Sequence, residues 1–130
     1  MAKRLYDVLL EEITNTLSQI KFDLIGVDHK TQPVKDSEGN PTAETQKYSE
    51  YEVEVPRGYG PVSRRQASIK ILEDSSTILD EEKLDEGMYQ ITFSGLTVSY
   101  LDPQRHAIYL RAAGYEITDT EDGKVVSRRE

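Results

Sequence analysis

Basic and tyrosine side chains lie close together in one stretch of this sequence. Between Arg57 and Leu72 there is no acidic residue, and Tyr59 accompanies four bases, which are Arg57, Arg64, Arg65 and Lys70. Arginine and lysine on a flexible loop neutralise phosphates, and a tyrosine ring stacks on an unpaired base at about 1–3 kcal/mol per base. Basic side chains together with a tyrosine favour binding of single-stranded nucleic acid with little preference for its base sequence. The competing interpretation is that an acidic domain simply carries its few bases here and that Tyr59 packs within the loop.

Three later residues extend this candidate surface if the last strand lies beside the loop. Tyr109 and Arg111 alternate with apolar residues, so they share one face of a strand, and Arg105 stands in the turn before them. We therefore predict a set of nucleic-acid-binding residues, which are Arg57, Tyr59, Arg64, Arg65, Lys70, Tyr109 and Arg111.

The sequence patterns that enzymes use are missing. His29 and His106 stand without HExxH spacing or a GxSxG elbow, and there is no Walker loop and no GxGxxG. RGYGPVSRR has two glycines but lacks the lysine and serine or threonine pair of a phosphate-binding loop. The run DEEKLDE is typical of a solvated face, and DSEGNPTAE lacks the acid spacing of a calcium loop. We predict no catalytic residue, no cofactor and no metal.

Composition narrows the class of protein. The chain has 130 residues, enough for one domain with a continuous core, and the absence of cysteine excludes disulfides and suits a reducing compartment. Apolar runs are too short for a membrane-spanning helix. Glu11 and Glu12 interrupt the N-terminal stretch that starts like a signal peptide. We therefore predict a soluble, cytoplasmic protein without membrane contact.

Charge is segregated along the chain. The net charge is −8, which repels nucleic acid at long range, and residues 73–88 hold seven acids against one lysine. This acidic segment supports a second hypothesis, in which residues 73–86 contact a protein partner or imitate DNA and so inhibit a DNA-binding enzyme. An enzyme is the third hypothesis, because the sequence offers no coherent triad, metal site or cofactor loop.

The first element that must position these residues is a helix. Residues 3–19 carry apolar side chains at helical spacing on one face, which predicts an amphipathic helix that packs on a sheet or on a second copy of the chain. Because this apolar stripe is long for so small a sheet to cover, we also predict a homo-oligomer.

Strand patterns follow the helix. The clearest lies at Tyr51, Val53 and Val55, which alternate with glutamates and predict one buried and one acidic face. Residues 35–42 predict an exposed hairpin tip and Gly26 a bulge. Residues 76–84 predict a short helical turn capped by Ser76 or Thr77, and residues 102–106 predict a turn between the last strands.

The order of elements predicts a mainly β fold of the α+β class. We expect the N-terminal helix (residues 1–20), a β-rich domain of five or six antiparallel strands (residues 21–117) and a flexible tail (residues 118–130). An OB-like Greek-key barrel is favoured over an open antiparallel sheet with the helix on one face.

Three segments resemble a known family. EGNPTAETQKYSEYEV (residues 38–53), ILDEEKLDEGMYQITF (residues 78–93) and IYLRAAGYEI (residues 108–117) are similar to segments of the small YdcP-like proteins carried by conjugative transposons and plasmids of Gram-positive bacteria. The resemblance implies a role in conjugative DNA transfer, where a single strand is handled, and it assigns no binding residues. With the base-rich stretch it leads to the first hypothesis, a non-enzymatic single-stranded DNA-binding accessory protein of a mobile element.

Overall fold

A computed structural model describes residues 4–74, 79–102, 104–105 and 107–129 of the chain. No helix among them is long and apolar enough to cross a membrane. The described residues form two α-helices, one 3-10 turn and eight strands, in the order α1 (Leu5–Ser18), β1 (Phe22–Lys35), β2 (Pro41–Glu54), the 3-10 turn (Gly60–Val62), β3 (Gln66–Leu72), α2 (Glu81–Asp85), β4 (Tyr89–Ser94), β5 (Thr97–Asp102), β6 (Ala107–Arg111), β7 (Gly114–Asp119) and β8 (Val125–Arg129). The prediction of a mainly β fold with an N-terminal helix is confirmed.

The hairpin of β1 and β2 follows the predicted patterns. Tyr51 and Val53 of β2 are buried, while the intervening glutamates point to the outer face of the sheet. The register of β1 against β2 shifts between Leu24 and Gly26, which confirms the predicted bulge. The tip is a turn in which Asp36 accepts hydrogen bonds from the backbone N–H of Glu38 and Asn40, each at 2.9 Å. Both strands run past the end of β3, so this hairpin projects from the body.

The strands form one mixed sheet in the order β5-β6-β3-β2-β1-β4-β7-β8. Eight strands replace the predicted five or six, and β6 runs parallel to β3, whereas the prediction had only antiparallel pairs. Within the described residues β5 and β8 each pair on one side only, so the sheet is open and the predicted barrel is not confirmed.

Part of the larger strand count comes from a kink in one long two-stranded ribbon. β4 pairs with β7, and β5 pairs with β6. The last pair of the first set, Ser94–Gly114, and the first pair of the second set, Thr97–Arg111, are separated by the same number of residues on both sides of the ribbon. The ribbon therefore keeps one register through a break at Gly95, whose φ of +62° is rare for other residues. The apolar alternation on either side of Gly95 predicts two strand segments with a break at this glycine. The break is a bend that sends the two halves of the ribbon to opposite sides of the sheet, which the alternation does not predict.

The sheet is strongly curled around its buried face. β6 and β7 lie five strand spacings apart in the sheet order, about 24 Å if the sheet were flat, yet residues 112–113 join them and span at most about 11 Å. Consistently, the rings of Tyr51 on β2 and Tyr115 on β7 have centroids 5.0 Å apart. The core fills the inside of this curl, and the outer faces of β2, β3 and β6 are turned away from it.

The C-terminal segment is a strand rather than the predicted flexible tail. β8 pairs antiparallel with β7, and Arg128 binds Glu116 at 2.8 Å. Arg129 lies 3.6 Å from the carboxylate of Asp74, which is only 2% exposed and accepts a short hydrogen bond from the hydroxyl of Tyr51. Residues 118–130 are mostly polar, so they show no hydrophobic pattern of a strand. The contacts of β8 with Glu116 and Asp74 depend on the fold and cannot be predicted from this segment alone.

The two helices differ in how they are held. α1 contacts β4 and β5, and only Leu17 packs against the buried core. α2 is shorter than predicted: Asp80 caps it by accepting from the N–H groups of Glu82 and Lys83, while the predicted caps Ser76 and Thr77 lie outside the described residues. Lys83 binds Asp119 at 2.7 Å and holds the pKa of that carboxyl below its usual value, so α2 is tied to the end of β7.

Candidate functional site

An open groove of about 850 Å³ runs along the outer face of β3 and β6. It brings Lys70 of β3 together with Arg105, Tyr109 and Arg111, which lie on β6 and in the turn before it. Glu50 and Asp102 also line it, so the surface is mixed in charge. Of the seven residues predicted to bind nucleic acid, the structure places Lys70, Tyr109 and Arg111 in this one groove.

Strand pairing explains why these side chains meet. In the parallel pair of β3 and β6, Ile69 lies opposite Leu110 and Lys70 lies opposite Arg111. Ile69 and Leu110 are buried, so the residues that alternate with them point outward. The prediction required the last strand to lie beside the loop. Instead, β6 lies beside β3, the strand that follows this loop, and the groove lining includes no loop residue.

The groove continues into a second pocket of about 480 Å³ at the projecting hairpin. The two cavities share Lys70 and Arg111, and the second adds Lys35 at the end of β1. Its remaining lining is apolar or amide and includes no carboxylate, namely Gln32, Pro33, Val34, Pro41, Gln46 and Leu72.

Lys70 stands at the junction of the two cavities and is held by several neighbours. Its ammonium donates a short hydrogen bond to the side-chain oxygen of Gln32 and lies 4.2 Å from the centre of the Tyr48 ring. Desolvation lowers the pKa of Lys70, and the positive charges of Arg111 and Lys35 lower it further, while Glu50 opposes them. The lining of the second pocket thus has three cations and no carboxylate.

Sequence reasoning missed Lys35, Gln32 and Tyr48. Tyr48 shares the outer face of β2 with Glu50, so the period of two that was recognised in this strand could have identified it. Lys35 and Gln32 had no such signal, because their place beside Lys70 depends on how β1 pairs with β2 and β2 with β3.

The loop between β2 and β3 does not contribute to the groove lining. Arg64 lies 3.6 Å from the carboxylate of Glu54, and Tyr59, 38% exposed, has its backbone N–H bound by Ser63. Arg57 and Arg65 are exposed on the same loop. The predicted surface is thus divided: its strand residues meet in the groove, and its loop residues lie beyond it.

Acidic side chains near the groove have partners of their own. Glu50 binds Lys30 at 3.2 Å, and Asp102 lies 3.6 Å from Arg105. By contrast, Lys35 and Arg111 form no ion pair with another described residue. Two of the three cations around the second pocket therefore remain available to an anion.

The other residues considered for chemistry lie elsewhere. His29 shares a hydrogen bond of 2.7 Å with the hydroxyl of Ser49, and His106 is outside the described residues. In the acidic segment, Asp74 is buried and Asp80 caps α2, which leaves Glu81, Glu82, Asp85 and Glu86 as its exposed described carboxylates within and beside α2. No group of three or more potential metal-binding side chains is found in the part of the chain that the structure describes.

Comparisons of the chain with protein-family models, with curated proteins and with solved structures found no match. The resemblance to the YdcP-like proteins thus remains an expectation from the three segments quoted above. The groove along β3 and β6, with its charged side chains, is therefore the basis of the proposed function.

Proposed function

We propose that this protein is a non-enzymatic single-stranded DNA-binding protein that holds its ligand in the groove along β3 and β6. The observation that carries the proposal is the meeting of Lys70, Tyr109 and Arg111 on one outward face. Lysine and arginine neutralise phosphates, and the tyrosine ring stacks on a base that has no pairing partner, which a duplex does not offer.

We further propose that the curled sheet is an OB-like barrel. If β4 with β5 and β6 with β7 are each counted as one bent strand, five strands remain besides β8, and each pairs with two others. OB folds are five-stranded, partly open Greek-key barrels that bind oligonucleotides on one strand face and its flanking loops. The groove lies on such a face, between the β1–β2 hairpin and the turn after β5.

The chemistry of the groove favours binding without a sequence code. Its cations contact phosphates, which are the same in every nucleotide, and ring stacking accepts any base. From the resemblance to the YdcP-like proteins we propose that the ligand is the single strand handled in conjugative transfer of a mobile element, in the cytoplasm.

Fluorescence anisotropy with a labelled oligo-dT tests the proposal. We expect binding at low salt that weakens as salt rises, and a loss of about tenfold or more in Lys70→Met/Arg111→Met, because two phosphate contacts disappear. Lys124→Met removes an exposed charge from the turn before β8 and serves as the control, with unchanged affinity expected. Absence of binding at low salt, or equal affinity of the groove variant and the native chain, would contradict the proposal.

The second candidate is an acidic protein-interaction module or DNA mimic. It is favoured by the exposed carboxylates of α2, which are solvated on a helix whose cap is intact. Charge reversal at Glu81, Glu82 and Asp85 leaves the Asp80 cap in place, so this variant should fold. If the mimic is real, the native chain inhibits a DNA-binding enzyme such as a nuclease and the variant does not; equal behaviour of the two would exclude it.

A further inference from the structure

The groove ends in the second pocket, at the projecting β1–β2 hairpin. Carboxylates line the groove but not this pocket. Pro33, Val34 and Pro41 of the hairpin line the second pocket on one side, with Lys70 and Arg111 on the other. The β1–β2 hairpin closes this end of the groove, because β1 and β2 continue past the last residue of β3. A nucleic-acid strand that lies along β3 and β6 would therefore end at the second pocket.

The amide groups of this pocket hold Lys70 in position without neutralising its charge. The ammonium of Lys70 donates to Gln32, the amide of Gln32 donates to Gln46 at 3.4 Å, and that of Gln46 donates to Glu73 at 3.4 Å. This chain of hydrogen bonds orients Lys70 through two neutral amides, and the carboxylate of Glu73 lies at the other end of the chain. Burial lowers the pKa of Lys70, and the nearby positive charges of Arg111 and Lys35 lower it further, so the three cations lie close enough to repel one another.

The charge of the pocket suits one kind of phosphate better than the other. A phosphodiester inside a strand carries one negative charge, whereas a phosphate monoester at its end carries about −1.5 to −2 at neutral pH, with a second pKa of about 6. Three cations and no lining carboxylate match the doubly charged group. Its additional oxygen also accepts a further charge-assisted hydrogen bond.

We propose that the pocket formed by Lys35, Lys70 and Arg111 against the β1–β2 hairpin binds the terminal phosphate monoester of a single nucleic-acid strand. The inference rests on the proposed function and deepens it: the protein is a binder of strand ends, with the preceding nucleotides lying in the groove beside Tyr109.

Oligo-dT strands that differ only at their ends test the inference by anisotropy. One strand carries a 5′-phosphate, one a 3′-phosphate and one neither. We expect one phosphorylated strand to bind at least about fivefold more tightly than the unmodified strand, the gain of one added charge-assisted hydrogen bond. The preference should shrink as pH falls through about 6, because the monoester then loses its second charge.

Two lysine variants locate the effect. Lys35→Met should abolish the preference while the unmodified strand binds within about twofold of its native affinity, since Lys35 lines the terminal pocket but not the groove. Lys47→Met, on the same hairpin but outside the pocket lining, removes the same charge and should keep the preference. Inorganic phosphate and thymidine monophosphate, added as competitors, separate a strand end from a free anion.

The outcomes distinguish this inference from the function on which it rests. Equal affinity for all three strands, or a preference that survives Lys35→Met, overturns the terminal pocket and leaves groove binding intact. If inorganic phosphate or thymidine monophosphate competes as well as the phosphorylated strand at equal concentration, the ligand is a free anion and the inference also fails. Absence of binding by every strand at low salt contradicts the proposed function itself.

Discussion

Lys70 is the residue on which the groove depends most, and its titration gives a direct prediction. Because burial and two neighbouring cations lower its pKa from the usual 10.5, its ammonium loses its proton earlier than an ordinary lysine as pH rises. Binding of single-stranded DNA should therefore weaken on the alkaline side, at a pH below the usual pKa of a lysine. Anisotropy with oligo-dA, whose bases do not titrate there, measures this.

Lys70→Arg is the matched control for that measurement, since arginine keeps its charge throughout this range. The native chain should lose affinity with rising pH, and the variant should lose much less. Parallel curves for the two proteins would mean that Lys70 does not bind the ligand through its charge.

Residue patterns predicted part of the groove and could not predict the rest. Tyr109 and Arg111 were placed on one outward face by alternation with Ile108 and Leu110. Both line the groove and Leu110 is buried, but Ile108 is 49% exposed and lines the groove as well. Arg57, Arg64 and Arg65 were grouped with Lys70 because they are near it in sequence. Sequence proximity failed here, because the loop turns away where β3 starts and Arg64 finds Glu54 instead.

At the scale of elements, the packing of β8 against the sheet gives a prediction on stability. A Cβ added to Gly114 would lie 2.2 Å from the carbonyl oxygen of Arg129 and 2.6 Å from the hydroxyl of Ser94, so backbone has to move. Gly114→Ala should destabilise the fold by about 1–3 kcal/mol, the usual cost of overpacking. Urea unfolding followed by circular dichroism measures the change.

Gly26→Ala is the control for this substitution. Its Cβ would approach only the flexible side chain of Glu52, at 3.4 Å, and Gly26 does not need a positive φ. We expect its free energy of unfolding to stay within about 0.5 kcal/mol of the native value. A Gly114→Ala variant as stable as Gly26→Ala would show that β8 is not packed there.

The exposed apolar side chains of α1 give a test of the predicted self-association. Leu5 is 74% exposed and Leu9 48%, whereas Leu17, later on the same apolar stripe, packs on the core. Light scattering of the native chain at high concentration should give a mass above that of one chain, and Leu5→Ser/Leu9→Ser should lower it. A strict monomer in the native chain would refute the prediction.

Local sequence patterns predicted most of the helices and strands, but they could not predict how the strands pair in the sheet. Hydrophobic spacing found α1, β2 and the two halves of the kinked ribbon, although none of the side chains of α1 is fully buried. The parallel pairing of β3 with β6 and the return of β8 depend on contacts between distant segments, such as that of Arg129 with Asp74. A count of periodic runs therefore gave too few strands and only antiparallel neighbours.

At the scale of the whole molecule, a net charge of −8 opposes the function that the groove supports. The opposition is greatest on β2, where Glu50, Glu52 and Glu54 lie on the outer face beside the groove. Such repulsion acts through solvent and is screened over about 10 Å at moderate salt. The groove should thus bind more tightly when a nearby carboxylate that contacts no ligand is neutralised.

Glu52→Gln makes this quantitative. Glu52 is exposed and pairs across the sheet with Ser68, which lines the groove, but its carboxylate lies over Gly26 of β1. Its charge therefore stands about two strand spacings, roughly 10 Å, from a phosphate bound over β3. At that distance in water the repulsion is about 0.4 kcal/mol, and its removal should raise the affinity for oligo-dT about twofold at low salt. At high salt the native and variant affinities should converge. Asp122→Asn removes the same charge from the β7–β8 turn and should change neither value, whereas an equal gain in both variants would mean that net charge alone, and not the position of Glu52 beside the groove, limits binding.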